Sequence, residues 1–443
     1  MKLKKLYIES FKNLKKINFD FIANNNINVL IGNNGCGKSN VIEAISSIFS
    51  TLYLNKKEFE FEFELVYDLQ VSEDIFDTIR INFFENKLEI KSLLNEELLD
   101  SSKFLPSQII TIYSGEESRL WEKYYNNFYE KYKSEYIKNL SPYLFPKQEL
   151  LYINKYYWDI AFLTLASSFI DTDDISPNKV IKSISFEFNQ DTIKALYEKS
   201  PSLVTTFTNT LSEGKEQIDL SLEEFRDRAV DSHKTLFQKL ATAYLPKNEK
   251  EKLINDITIT FEDDTNLNDL SEGEKKRLLL KTVLNILAED NTLVLFDEPD
   301  VFLHPKWQSE LIKNFIDNKK SSVSILLTTH SPNILKNISS NNVFVLKKNI
   351  EGNIYQERPV SSLLGRDVNS ILDETMGVSE RNKEVEQLFK KYFEYISKKD
   401  FDQVKLIEKE ILEITKDEEY FYDDEPKFAK AKAVIQRMKM FDK

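Results

Sequence analysis

Residues 26–49, NINVLIGNNGCGKSNVIEAISSIF, contain a short apolar run, a glycine-rich loop and a helix-patterned segment in direct succession. The loop, residues 32–39, fits the pattern G-x-x-x-x-G-K-[ST] in full. It lies between a predicted strand and a predicted helix, which is the context that this pattern needs. Backbone N–H groups of such a loop and of the following helix N-terminus receive phosphate oxygens. The stretch therefore predicts a phosphate-binding site at the end of a strand.

Two polar side chains at the end of the loop complete the expected phosphate site. Lys38 is expected to reach the β- and γ-phosphates as a point charge, and Ser39 to supply a hydroxyl to Mg²⁺. Cys36 occupies a free position of the loop, where it is either incidental or an oxidisable thiol beside a helix N-terminus. The predicted nucleotide-binding residues are Gly32, Asn33, Asn34, Gly35, Cys36, Gly37, Lys38 and Ser39.

Two further apolar runs end in polar residues that suit phosphate chemistry. The stretch NTLVLFDEPD places Asp297 and Glu298 at the end of a buried strand, where open α/β sheets bind ligands. We expect Asp297 to hold Mg²⁺, and Glu298 to orient and polarise the attacking water. The stretch ILLTTHS places His330 at the end of the next strand, as a sensor of the γ-phosphate.

A second anion-binding element, LSEGEKKRLLLK, occupies residues 270–281, far from the phosphate loop in sequence. Ser271 and the N–H groups around Gly273 lie at the start of a predicted helix, where an anion is favoured. Such an element is redundant within one chain but useful if it caps the phosphate bound by another copy. Residues 271–274 (Ser271, Glu272, Gly273, Glu274) therefore predict a two-fold, nucleotide-sandwiched dimer.

Composition excludes several classes of protein. The chain has 443 residues, 41% of them hydrophobic, so it can bury a sizeable core. Its net charge of −13 opposes a large surface that coats DNA without regard to sequence. A single cysteine rules out an intramolecular disulfide framework and fits a reducing cytoplasm. We recognise no secretion signal and no membrane-spanning stretch, so we expect a cytoplasmic protein.

The order of the predicted segments indicates an α/β fold with a mixed sheet flanked by helices and an antiparallel β lobe. Apolar strands such as LVLF and SILL are typical of a parallel sheet that is covered on both faces. We expect an N-terminal lobe over residues 1–115, a helical insertion over 116–255, a C-terminal lobe over 256–360 and a helical region over 361–443.

The phosphate loop, LSEGE, DEP and TTH, in this order, resemble the motifs of the ABC-type ATPases. The stretch DEPDVFLHP and the long insertion look like the soluble group that includes the SMC, RecF and OLD-like ATPases. The resemblance implies that ATP and Mg²⁺ are bound and that ATP is hydrolysed. It further implies that Asp300 communicates across the dimer, and that a glutamine of the first lobe contacts the site, for which Gln108 is the candidate.

The segments YSGEESRLWEKYY and GRDVNSILDETMGVSERNKEV look like the ATPase subunits of bacterial anti-phage systems, notably the PtuA type of Septu systems. That resemblance implies a homodimer or higher oligomer that controls a separate HNH-type nuclease. Unlike the OLD-like enzymes, the residues after His330 show no TOPRIM-like acidic pattern, so we expect any nuclease to act in trans.

Two other functions follow from the same motifs. A RecF-like role in DNA repair would use the lysines of residues 4–16 to contact DNA phosphates, and a second basic cluster lies in residues 427–443. A nucleotide-binding subunit of a transporter is disfavoured, because the insertion is far larger than that role needs. Solvated charge is the plainer interpretation of both basic clusters.

Overall fold

The computed structural model describes residues 1–21, 26–73, 75–94, 104–114, 118–138, 148–168, 170, 179–199, 201–246, 249–320, 322–376, 383–415, 428, 431 and 433–435. Its strands are β1 (Lys2–Phe11), β2 (Leu14–Asp20), β3 (Ile27–Gly32), β4 (Phe63–Gln70), β5 (Phe76–Phe84), β6 (Lys87–Ser92), β7 (Gln108–Tyr113), β8 (Leu150–Ile153), β9 (Ile181–Phe188), β10 (Gln217–Leu220), β11 (Ile254–Phe261), β12 (Thr292–Asp297), β13 (Ser324–Thr329), β14 (Val343–Lys348) and β15 (Ile354–Glu357).

The α-helices are α1 (Lys38–Tyr53), α2 (Asn126–Lys138), α3 (Trp158–Ser167), α4 (Gln190–Lys199), α5 (Leu203–Ser212), α6 (Leu222–Ala229), α7 (His233–Tyr244), α8 (Glu272–Thr282), α9 (Pro305–Asn318), α10 (Pro332–Leu335), α11 (Val368–Met376), α12 (Lys383–Ser397) and α13 (Phe401–Thr415). A π-helical turn, Trp121–Tyr125, precedes α2, and another, Val283–Leu287, continues α8.

The central sheet has the strand order β15-β14-β3-β13-β12-β7-β8. Apart from β15, which pairs antiparallel with β14, neighbouring strands are parallel. Every residue of β3, β12 and β13 is buried, as expected for strands that helices cover on both faces. The predicted α/β fold is confirmed, including the strand, glycine-rich loop and helix at residues 27–53.

A second sheet, with the strand order β2-β1-β4-β5-β6, is antiparallel and forms the β lobe. Its strands alternate buried and exposed residues, because one face packs on the core and the other faces solvent. Helix α1 buries most of its length between layers, and its apolar residues share one core with this sheet. The antiparallel β lobe expected from the period-2 pattern is therefore present.

The region 116–255 differs from the helical insertion that we expected, because it contains three strands as well as helices. Strand β8 is fully buried and extends the central sheet beside β7. Strands β9 and β10 form a separate sheet of order β10-β9-β11. The sequence of β9, IKSISFEF, does alternate with period 2, but it lies within a Tyr- and Lys-rich region whose pattern is otherwise helical.

Strand β11 crosses the expected boundary at residue 255. It pairs antiparallel with β9 over most of its length, so it belongs to the same sheet as β9. A boundary at residue 255 would cut this hydrogen-bonded sheet, and the residues on both sides of it lie in the compact unit Met1–Arg366.

The chain forms two compact units, Met1–Arg366 and Asp367–Lys443. In the second unit α12 and α13 pack through their own apolar cluster, which includes Phe389, Tyr392 and Ile411. Parts of two expected motifs, residues 115–117 and 377–382, lie outside the described residues, as does the basic cluster at Lys427, Lys430, Lys432, Arg437, Lys439 and Lys443. None of the helices in the described ranges has the length and apolarity needed to cross a lipid bilayer.

Candidate nucleotide-binding site

The predicted site residues converge because the strands that carry them are neighbours in the central sheet. Strand β13 pairs in parallel with β3 on one side and with β12 on the other. Their carboxyl ends therefore meet at one edge, where the loops leading to Lys38, Glu298 and His330 emerge. This edge is where open α/β sheets bind ligands.

The phosphate loop adopts a conformation that depends on Gly37. Its φ is +83°, and a Cβ built there would lie 2.8 Å from Leu14 Cδ2 and 2.9 Å from Asn13 Oδ1. Asn13 also donates from Nδ2 to Gly35 O at 3.1 Å, and Asn40 Nδ2 donates to Asn13 Oδ1 at 2.6 Å. The turn between β1 and β2 thus supports the loop, a role of Asn13 that sequence motifs did not indicate.

Within the loop, Asn33, Asn34 and Gly35 are exposed, whereas Cys36 is buried. The exposed residues form the rim of the loop, and the thiol faces the protein interior.

Lys38 is buried beneath this loop, with 5% of its surface exposed. Its Nζ donates to Gly32 O at 3.0 Å and to Asn33 O at 3.4 Å, and lies 2.6 Å from His330 Nε2. Burial lowers the pKa of Lys38 from its ordinary value, although nearby carboxylates oppose this. The ammonium group contacts two carbonyl oxygens and an imidazole nitrogen, which carry only partial negative charge. A phosphate would offer it a full negative charge.

The oxygens of Ser39 and Asp297 are placed as a pair of metal ligands. Ser39 Oγ lies 3.1 Å from Asp297 Oδ1, and Thr328 Oγ1 donates to the same carboxylate oxygen at 2.5 Å. Two adjacent ligands of an octahedral Mg²⁺, each at about 2.1 Å, lie about 3 Å apart. The residues present therefore fit Mg²⁺, which in nucleotide sites takes few protein ligands and completes its shell with phosphate and water.

The described residues contain no group of three or more His, Cys, Asp or Glu side chains that could hold a metal ion by themselves. Burial raises the pKa of Asp297, while its hydrogen bonds with Thr328 and Ser39 lower it. A divalent cation would favour the ionised carboxylate.

Glu298 and His330 form a second polar pair at the same edge. Glu298 Oε1 lies 3.3 Å from His330 Nε2, and this contact lowers the pKa of the Glu298 carboxyl. The same Nε2 can accept a hydrogen bond from Lys38 or donate one to Glu298, but cannot do both. A phosphate that draws Lys38 away would therefore leave His330 free to donate.

The backbone at Glu298 is strained. Its φ is +53°, in the left-handed region that non-glycine residues seldom occupy. Its N–H donates to Thr328 Oγ1 at 3.0 Å, which fixes this conformation from the neighbouring strand. Such strain is typical of functional segments that the surrounding structure holds in place.

The second anion-binding element, Ser271 to Glu274, is called the signature segment below. It begins α8 with a capping box. Glu274 N donates to Ser271 Oγ at 3.3 Å, and Glu274 Oε2 accepts from Ser271 N at 2.9 Å. Ser271 and Glu272 are exposed, whereas Gly273 is buried. A Cβ at Gly273 would lie 2.8 Å from Phe302 O and 3.1 Å from Trp307 Cζ3, so any other residue there would displace these neighbours.

Asp300, expected to communicate across a dimer, is 6% exposed, and burial raises the pKa of its carboxyl. Asp300 lies in the segment of residues 298–303 that follows β12. The exposed side chain of this segment is Phe302, which is 56% exposed at a φ of +70°. Gln308 holds the segment from α9, because its Nε2 donates to Leu303 O at 3.0 Å and its Oε1 accepts from Ser331 Oγ at 2.8 Å. Gln308 thus ties this segment to the residues that follow His330.

Gln108 was the wrong candidate for a glutamine at the site. It begins β7, where it pairs with Thr292 at the start of β12, whereas Asp297 at the end of β12 pairs with Tyr113. Its side chain donates to Gln148 O at 2.9 Å. Gln108 therefore lies at the opposite edge of the sheet, about 16 Å from the site at 3.3 Å per residue.

A model of the AAA ATPase domain family matches residues 1–335, which include every site residue described above. The chain belongs to the AAA ATPase domain family. The match takes in both the glycine-rich loop and the acidic strand end.

Three relatives of this ATPase are informative. The retron Ec83 probable ATPase of Escherichia coli is 23% identical over 77% of this chain and 71% of that protein. The retron Vc95 probable ATPase of Vibrio cholerae serotype O1 biovar El Tor is 22% identical over 88% of this chain and 83% of that protein. The Septu protein PtuA of Bacillus mycoides is 25% identical over 34% of this chain and 22% of that protein. The expected relation to PtuA is confirmed.

Proposed function

We propose that the chain hydrolyses ATP in a dimer in which each copy caps the nucleotide held by the other. The observation that carries this proposal is the placement of the signature. Lys38, Ser39 and the Glu298–His330 pair meet at one edge, while Ser271 bonds locally with Glu274 and faces solvent. A capped helix start that faces outward suits the phosphate of a second copy.

Each residue then has a chemical task in the reaction. The loop amides and Lys38 hold the β- and γ-phosphates, and Ser39 and Asp297 would hold Mg²⁺, which neutralises phosphate charge. Glu298, whose pKa is lowered, is ionised at neutral pH and accepts a proton from the attacking water. His330 donates to the γ-phosphate once Lys38 has turned towards the nucleotide.

Two variants test this function. Lys38→Ala should abolish ATP binding, because it removes the cation beneath the loop. Glu298→Gln should keep ATP binding but lower kcat by about 100-fold or more, because the amide cannot accept the proton. Light scattering should show that ATP doubles the mass of Glu298→Gln. ATP hydrolysis at the wild-type rate by Glu298→Gln would refute the role of this residue.

We further propose that this ATPase is the regulatory subunit of an anti-phage complex and controls a separate nuclease. Similarity to retron ATPases and to PtuA supports this assignment. The purified chain should not cut DNA, and a stoichiometric nuclease, of the HNH type, should co-purify with it from its native host. Recovery of the chain alone, or DNA cleavage that persists in Lys38→Ala, would contradict the proposal.

A RecF-like function, in which the N-terminal lysines bind DNA, is a weaker alternative to the regulatory role. Four of these lysines form ion pairs, three within the β lobe and one with helix α1: Lys4 with Asp68, Lys5 with Glu64, Lys16 with Glu9, and Lys12 with Glu43 of α1. Their charge is thus largely offset before any DNA arrives. ATP-dependent duplex binding that weakens steeply with salt would favour this alternative over the regulatory role.

A further inference from the structure

Lys276 is a buried lysine that the proposed reaction does not use. It is the fifth residue of α8 and is 4% exposed. At 1.5 Å per residue, about 6 Å of helix separates it from the signature at the helix start. Because a single helical turn is rigid, a displacement of the signature moves Lys276 as well.

The ammonium group of Lys276 contacts the segment that carries the general base. Its Nζ donates to Ser114 Oγ and lies 3.4 Å from Glu298 O. Ser114 Oγ in turn lies 2.7 Å from Glu298 O and 3.0 Å from Asp297 O, so its proton bridges the two carbonyls. Lys276 and Ser114 therefore hold the strained backbone of Glu298 from the side of α8.

Charge reinforces this link. Carboxylates of Asp300, Glu298, Asp297 and Glu272 attract the ammonium and oppose the effect of burial on it. When ATP draws Lys38 onto its phosphates, Lys276 stays as the buried cation beside Glu298 and Asp300. Burial lowers the pKa of Lys276 to about 8 and does not remove its charge at neutral pH.

We propose that Lys276 is a positioning residue that couples the signature of one chain to Glu298 of the same chain. A phosphate bound at Ser271 moves α8, and Lys276 and Ser114 transmit this movement to the Glu298 backbone. Occupancy of the partner's nucleotide then sets hydrolysis in this chain's own site. This second step rests on the proposed dimer function.

The test compares Lys276→Met with Lys275→Met in the full chain. Met keeps the apolar stem of the lysine and removes its ammonium group. Lys275 is the matched control, because it is the preceding residue of the same helix but donates to Asn268 O at 2.9 Å, away from Glu298. Ser114→Ala removes the same link from its other end.

Lys276→Met should lower single-turnover hydrolysis by about 10- to 100-fold, the effect of a misplaced catalytic group, and leave the Kd for ATP within about 2-fold. Ser114→Ala should act in the same direction, and Lys275→Met should hydrolyse ATP at the wild-type rate. The double variant Lys276→Met/Glu298→Gln should be about as slow as Glu298→Gln alone, because both changes act on one group.

Two outcomes separate this inference from the proposed function. If Glu298→Gln slows hydrolysis but Lys276→Met does not, or if the two losses multiply in the double variant, the coupling is refuted and the ATPase function stands. If wild type and Glu298→Gln hydrolyse ATP equally, the proposed catalytic function itself fails.

Discussion

The substitution Gly273→Ala tests whether close packing of the signature helix controls hydrolysis. The new Cβ would lie 2.8 Å from Phe302 O, and ordinary contact requires a displacement of about 0.5 Å. Ala is preferred over Gly in a helix by about 1 kcal/mol, and overpacking costs about 1–3 kcal/mol. The free energy of unfolding should therefore fall by about 0–2 kcal/mol.

The rate of ATP hydrolysis should fall as well. Backbone hydrogen bonds from Val301 N to Glu298 O (3.2 Å) and from Leu303 N to Asp300 O (3.0 Å) make residues 298–303 two consecutive turns. A displacement at Phe302 therefore reaches Glu298. Since a misplacement of about 1 Å can cost about 100-fold in rate, half that displacement should lower kcat by about 10-fold.

The assay measures kcat, the Kd for ATP and thermal unfolding of Gly273→Ala. The Kd should stay within about 2-fold of wild type, because the change lies outside the phosphate loop. Lys281→Ala, in the last turn of the same helix, serves as the control and should leave kcat within about 2-fold. A wild-type kcat for Gly273→Ala, or a loss of ATP affinity as large as the loss of kcat, would refute the reasoning.

Three further outcomes are expected. Gly37→Ala should weaken ATP binding by at least about 10-fold in calorimetry, because a Cβ there meets Leu14 at 2.8 Å in a left-handed backbone. Lys38→Met should lose ATP binding yet unfold at no lower temperature without nucleotide, since burial of this ammonium already lowers its pKa. Lys276 has a pKa near 8 when folded and 10.5 as its ordinary value, so between these pH values the unfolded chain holds the extra proton. Relative to Lys276→Met, wild type should therefore gain up to about 1.4 kcal/mol of unfolding free energy per pH unit in urea titrations above pH 8; a constant difference would contradict this.

The successes of sequence analysis share a local cause. The phosphate loop and the apolar strands that end at Asp297 and Thr329 each depend on residues that are adjacent in the chain. Period and loop chemistry therefore revealed them. The errors involved the position of a residue along its strand and strands set among helices. Gln108 lies at the wrong end of β7, and the strands β8 and β9 lie in a region whose pattern is otherwise helical.

The sequence by itself determined which residues match phosphate-binding motifs, because that information lies in short patterns with fixed spacing. Tertiary structure alone decided which distant groups support them. Lys276 and Ser114 are separated by 162 positions, and Asn13 reaches the phosphate loop from a different sheet. No periodicity encodes such contacts, because pairing between distant strands and packing between helix and strand end set them only when the chain has folded.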